Sequence, residues 1–135
     1  MKTNKLKVLT ICSAGLNRSK YLAGYLRRKG YSTKFRGLEP EKYAHEINTV
    51  QQKDIDWADV IITVRPRLKK LIKKKFKIGR KELILLDVSD SRRLLPKEYE
   101  HLKELDYLAF QKKWTRPQLR KALKPYLPLM KKKRG

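Results

Sequence analysis

One cysteine and two histidines stand in a chain of 135 residues. A single cysteine excludes an internal disulfide. Together with two histidines it cannot assemble the usual Cys/His zinc set, so neither metal nor organic cofactor is expected. No apolar run approaches the ~20 residues that cross a bilayer, so no membrane association is expected. There is no Walker A pattern and no G-x-G-x-x-G, which leaves the common nucleotide-binding loops unsupported. No internal repeat is visible. Met1 to Lys7 is basic, but the apolar stretch behind it is short and ends at Cys12. That is not the pattern of a signal peptide. The expected location is cytoplasmic, where a free thiol survives.

Acidic residues are also scarce: 13 against 36 Lys and Arg, for a net charge of +23. The run from Arg65 to Arg80 and the tail Lys131-Lys132-Lys133-Arg134 concentrate the excess. Charge runs usually line a solvated face, and the tail at 131–135 reads as a frayed basic end. The same surplus suits nucleic acid or an acidic partner, or a strongly anionic phosphorylated substrate. No RRM, KH or helix-turn-helix signature accompanies it, and Trp114 and the tyrosines form no stacking stripe.

The length fits one domain, 1–135. Leu6–Ile11 reads as a buried strand and Ser19–Lys29 as a helix, with Leu22, Tyr25 and Leu26 on one face and Gly30 ending it. Ser32–Arg36 is a short strand closed by Gly37, and Glu39–Gln52 a polar loop with a short helix. Ala58–Val64 is a β-branched strand, Pro66–Phe76 a basic helix and Glu82–Val88 a fourth strand. Pro96–Lys112 is helical with a break. Thr115 is expected to cap a last helix from Arg116 to about Leu127, bent or ended by Pro125. Strands that alternate with helices predict an α/β fold: three layers, with helices on both faces of a four-stranded parallel sheet. Ligands in such sheets sit beyond the strand C-termini at the topological switch point. Cys12 and Asp87 both follow strands and belong to that edge.

The informative motif is Cys12-Ser13-Ala14-Gly15-Leu16-Asn17-Arg18-Ser19, directly after the first strand. A lone cysteine there is most often a small buried hydrophobe. The arginine and serine at the far end of the loop change that reading. A strand, tight loop and helix N-terminus aim backbone amides at one point and make an anion site. The same field favours the nucleophilic thiolate of Cys12. Arg18 supplies a planar fork for two phosphate oxygens. Ser13, Ala14, Gly15, Leu16, Asn17, Arg18 and Ser19 would line the cradle. Ser19 suits either a hydroxyl donor to sulfur or a helix cap.

These residues resemble the start of the low-molecular-weight protein tyrosine phosphatases, in particular their small prokaryotic branch. Asp56-Trp57-Ala58-Asp59-Val60-Ile61-Ile62-Thr63-Val64 is similar to the family's central strand with its lead-in. Leu83-Ile84-Leu85-Leu86-Asp87-Val88-Ser89-Asp90 is similar to the late strand that delivers the general acid. The resemblance spans about residues 5 to 130. It implies phosphate monoester hydrolysis through a phosphocysteine, with a phosphoprotein or other phosphate monoester as substrate and phosphotyrosine foremost. It gives Cys12 the part of nucleophile and Arg18 that of phosphate ligand. Asp87 takes the part of acid, with Asp90 as the alternative; either could instead be a turn residue. The chain departs from the family pattern. Ala14-Gly15 replaces Gly-Asn, Asn17 stands where some members carry a second cysteine, and Lys20 replaces proline. The acid loop lacks Asp-Pro and the tyrosines that wall the substrate ring; Tyr43 is a candidate replacement. Three rivals share parts of this reading. They are an arsenate reductase working with an external thiol, a cysteine phosphotransfer subunit, and a non-enzymatic polyanion-binding or RNA-binding module with an inert loop.

Overall fold

A computed structural model describes residues 5–39 and 48–130. Tyr43, most of the segment read as Glu39–Gln52, and the basic tail lie outside the described residues. Strand β1, Lys7–Cys12, is buried from Val8 onward. A strand apolar on both faces needs cover on both sides, and β1 takes an interior place. It pairs in parallel with β2, Ser32–Gly37, and with β3, Val60–Thr63. β3 pairs in parallel with β4, Glu82–Leu85. The sheet order is β2-β1-β3-β4. The chain therefore builds leftward from β1 and then returns to build rightward. Right-handed crossovers place the connecting helices on opposite faces when the direction reverses. The reversal lies between β1 and β3, and Cys12 ends β1 at that switch point.

Helix α1, Arg18–Arg28, buries Leu22 and Leu26. α2, Gln52–Trp57, opens on a reciprocal cap between Gln51 and Asp54 and buries Ile55. α3, Pro66–Lys75, starts on proline, which suits a first helical turn because the missing N–H has no partner there. It buries only Leu68 and Ile72; its lysines face outward. This amphipathic stripe is what the basic run between Arg65 and Arg80 encodes. No helix among the described residues is long and apolar enough to cross a membrane.

Two sequence expectations need correction, on β4 and on Thr115, and the helical segment with a break is refined. β4 stops at Leu85, because Asp87 adopts a left-handed backbone, φ 51°. Aspartate tolerates that region better than most residues, and the turn takes the chain out of the strand. The segment from 97 to 104 forms a tight 3₁₀ coil, Lys97–Glu104, and the break falls at Leu105 and Asp106. Thr115 caps nothing. Its backbone is helical, and one continuous helix runs from α4, Tyr107–Phe110, through a wider π turn, Gln111–Thr115, into α5, Arg116–Leu123. The cap is Asp106, whose carboxylate accepts from the Ala109 N–H at 2.8 Å. Pro117 lacks an N–H for the preceding turn, and the helix widens there. The last helix does end before Pro125, in a short 3₁₀ turn, Lys124–Tyr126.

Candidate active site

The loop from Cys12 to Arg18 is shaped by two glycines. Gly15 has φ +77°, a conformation glycine reaches at no steric cost. A Cβ there would fall under 3.0 Å from the backbone of Arg36, Gly37 and Asn48. A Cβ on Gly37 would collide in turn with Ala14. Only glycines allow the loop to lie against the end of β2. The loop carbonyls are then tied outward: the Leu38 N–H gives to Cys12 and Ser13, the Glu39 N–H to Ser13 and the Asn48 N–H to Ala14, at 3.0–3.1 Å. With the carbonyls held outside, the Gly15 N–H turns inward and donates to Cys12 Sγ at 3.2 Å. The Thr10 hydroxyl donates to the Ser19 carbonyl at 2.7 Å, which fixes the first turn of α1 to the strand.

Ser19 Oγ lies 3.1 Å from Cys12 Sγ. α1 has no side-chain cap, so of the two readings of Ser19 the sulfur partner is the one observed. The thiol is buried at the floor of a cavity of about 230 Å³. Arg18 is 6% exposed. Its Nη1 donates to the Val88 carbonyl at 2.7 Å, while its Nε is buried without a hydrogen-bond partner. A buried guanidinium N–H without a hydrogen-bond acceptor is costly, and Arg18 lines the same cavity as Cys12.

The two candidate acids are separated. Asp90 lines the Cys12 cavity. Its Oδ2 accepts from Asn17 Nδ2 at 2.9 Å and lies 3.6 Å from Arg18 Nε. Asn17 Nδ2 also donates to Gln111 Oε1 at 3.1 Å, so one amide ties the loop, the acid segment and the final helix together. Asp87 sits elsewhere. It is more than half exposed, pairs with Arg65 at 3.3 Å and lines a separate cavity with Trp114.

Several residues at the site had escaped the sequence reading. Tyr107 lines the cavity beside exposed Leu16. Partial burial raises its hydroxyl pKa, and the negative charges of Asp90 and Cys12 push it the same way. It therefore stays a neutral donor. Gln111 is buried in the π turn. Arg67 grips Glu39 with both arms of its fork, and its Nη2 donates to Ser13 Oγ at 2.9 Å. Arg67 hid inside a lysine-rich run, and nothing in its spacing marked it. Tyr107 did have a signal, since it follows a capping aspartate at a helix start.

No protein-family model matches the sequence, and no curated protein matches it. Solved structures do. The YwlE arginine phosphatase from Geobacillus stearothermophilus superposes with a TM-score of 0.60 at 18% identity, covering 88% of each chain. A low-molecular-weight protein tyrosine phosphatase from T. tengcongensis gives 0.63 at 13% identity, over 93% of this chain and 100% of that one. Vibrio vulnificus Wzb, solved with benzylphosphonate, gives 0.63 at 13% identity, over 91% and 97%. At such identities the likeness is one of architecture, covering nearly the whole of both chains. The chain has the fold of the low-molecular-weight protein tyrosine phosphatases.

Proposed function

We propose that the protein is a cysteine-dependent phosphate monoester hydrolase, with phosphotyrosine on protein as its leading substrate. The observation that carries this is the pairing of Cys12 with Arg18. The sulfur accepts from the Gly15 N–H, lies 3.1 Å from Ser19 Oγ, and lines one open cavity with a buried guanidinium whose Nε makes no hydrogen bond. The thiolate attacks phosphorus, and an S–P bond forms as the P–O bond to the leaving group breaks. The loop amides and Arg18 hold the equatorial oxygens, where charge builds. Asp90 gives its proton to the leaving oxygen. Its carboxylate then takes a proton from water, which attacks phosphorus and breaks the S–P bond to release phosphate.

Asp90 is the better acid because it lines the same cavity as Cys12, whereas Asp87 is engaged by Arg65 on another surface. Asp87 serves as the turn residue that brings Val88 and Asp90 to Arg18. Leu16 and Tyr107 give the cavity an apolar and aromatic wall, which suits an aryl ester. The similar arginine phosphatase raises phosphoarginine as a second substrate. The cations beside the cavity, Lys20 and Arg116, work against a guanidinium leaving group. A cytoplasmic location accords with a thiolate nucleophile.

The test is turnover of para-nitrophenyl phosphate by the wild type and by Cys12→Ser, with rapid quench to trap phosphocysteine. Cys12→Ser is expected to lose turnover yet still bind vanadate, because the cradle is mainly backbone. More than a few per cent residual activity would mean that another residue attacks phosphorus.

A further inference from the structure

Beside the Cys12 cavity runs a second, larger one of about 400 Å³. The two share Leu16 and Asn17, so they adjoin across these residues. Lys20, Gly24 and Arg28 come from α1 at spacings of four, which stacks them on a single helix face. Arg116, at the start of α5, forms the opposite side. Among the described residues no carboxylate lines this groove and none of its three cations is ion-paired.

The groove differs from the solvated lysines of α3 in being preorganised. The Arg116 guanidinium is stacked 5.3 Å from the Tyr21 ring centroid, and its Nε is buried without a hydrogen-bond partner. Gly24 leaves the floor open, with only Arg28 Nη1 near its missing Cβ, at 3.6 Å. Three cations around one depression, without an ion pair among the described residues, make a site for oxyanions, and the guanidinium forks favour carboxylate or phosphate.

We propose that this groove is a second oxyanion subsite for the substrate, taking a carboxylate or a second phosphate carried on the same peptide. The inference rests on the phosphatase reading above. Dimensions set the reach. Lys20 and Arg28 are eight residues apart on a helix, or roughly 12 Å. An extended peptide covers that in about four residues. The second anion therefore lies within about four positions of the point where the peptide enters the groove beside Leu16 and Asn17, and the enzyme selects acidic or multiply phosphorylated segments.

The experiment is an anisotropy titration of the Cys12→Ser protein at near-physiological salt. Three phosphotyrosyl peptides are compared: neutral flanks, glutamate flanks, and one flanking phosphoserine. About tenfold or more tighter binding of the charged peptides is expected, the scale of one good charge-assisted contact. The stronger of the two charged arms identifies the anion. The preference should collapse in Lys20→Ala/Arg28→Ala/Arg116→Ala. It should also collapse in Gly24→Glu, which puts a negative charge on the groove floor with no backbone collision and a better helix former. Equal affinity for the three peptides, or a preference that survives Gly24→Glu, overturns the proposal. Para-nitrophenyl phosphate turnover by the wild type, measured in parallel, reports the phosphatase reading separately. A single-stranded RNA oligonucleotide completes the comparison. If it binds more tightly than either acidic peptide and loses affinity in the same variants, the groove is a nucleic-acid surface and the substrate assignment fails.

Discussion

Replacing Asp90 by asparagine separates the chemistry of the acid from the architecture that holds it. The change is isosteric. The new side-chain oxygen can still accept from Asn17 Nδ2, the bond that now measures 2.9 Å, although the buried Arg18 guanidinium loses its carboxylate neighbour at 3.6 Å. The fold should survive, with a modest fall in melting temperature. What is lost is the proton. A positioned general acid contributes about 10²–10⁴-fold, which is about 2.7–5.4 kcal/mol of barrier at ~1.36 kcal/mol per decade. That loss falls only on leaving groups that need protonation. Turnover of phenyl phosphate and phosphotyrosine should drop by that factor, while para-nitrophenyl phosphate, whose phenolate leaves unaided, should lose about tenfold or less. The assay is kcat against leaving-group basicity for the wild type, Asp90→Asn and Asp87→Asn. Asp87→Asn keeps a residue that tolerates φ 51° and removes only an exposed ion pair with Arg65. It should behave like the wild type. A steep leaving-group dependence in Asp87→Asn, with none in Asp90→Asn, would refute the assignment.

Three further outcomes follow from the same geometry. Arg18→Lys keeps the charge but loses the fork that reaches both Val88 and the cradle, so kcat/KM should fall about 10²-fold or more; near-normal kinetics would place Arg18 outside the site. Gly15→Ala must hold alanine at φ +77° against the backbone of Arg36 and Gly37. The left-handed conformation alone costs about 1–2 kcal/mol, so a lower melting temperature and loss of vanadate binding are expected, and a variant that melts and binds like the wild type would contradict the close approach. Asp54→Ala removes a buried carboxylate that accepts from the Gln51 N–H at 2.9 Å and Arg36 Nε at 3.2 Å. Both cationic partners of Asp54, Arg36 and Lys34, retain some access to water. The expected cost is therefore about 1–3 kcal/mol in urea unfolding, and less than about 0.5 kcal/mol would show that α2 does not depend on this cap.

Local pattern was enough for the architecture. Apolar runs of strand length, separated by helices with one apolar face, specify a parallel sheet covered on both sides. The order of elements brings the end of β1 to the switch point, so the gathering of Cys12, Arg18 and Ser19 around one loop was legible along the chain. Their spacing is short and lies within one loop, where sequence distance and spatial distance are nearly the same. Which of the two aspartates lines the Cys12 cavity was not legible in that way. Asp87 and Asp90 are three residues apart on the same segment, and periodicity cannot tell which faces the cavity. One left-handed residue decides it, by turning the chain out of β4 so that Val88 meets Arg18 and Asp90 meets Asn17. Gln111 and Tyr107 are likewise 94 and 90 positions from Asn17 in sequence and come to its side of the cavity only because the final helix packs back across the loop. The groove between α1 and α5 has the same origin. Lys20, Arg28 and Arg116 read as ordinary surface charges along the chain, and only the packing of two helices places them around one depression. Sequence carries what is encoded by neighbours along the backbone; contacts between distant segments exist only once the tertiary fold has closed them.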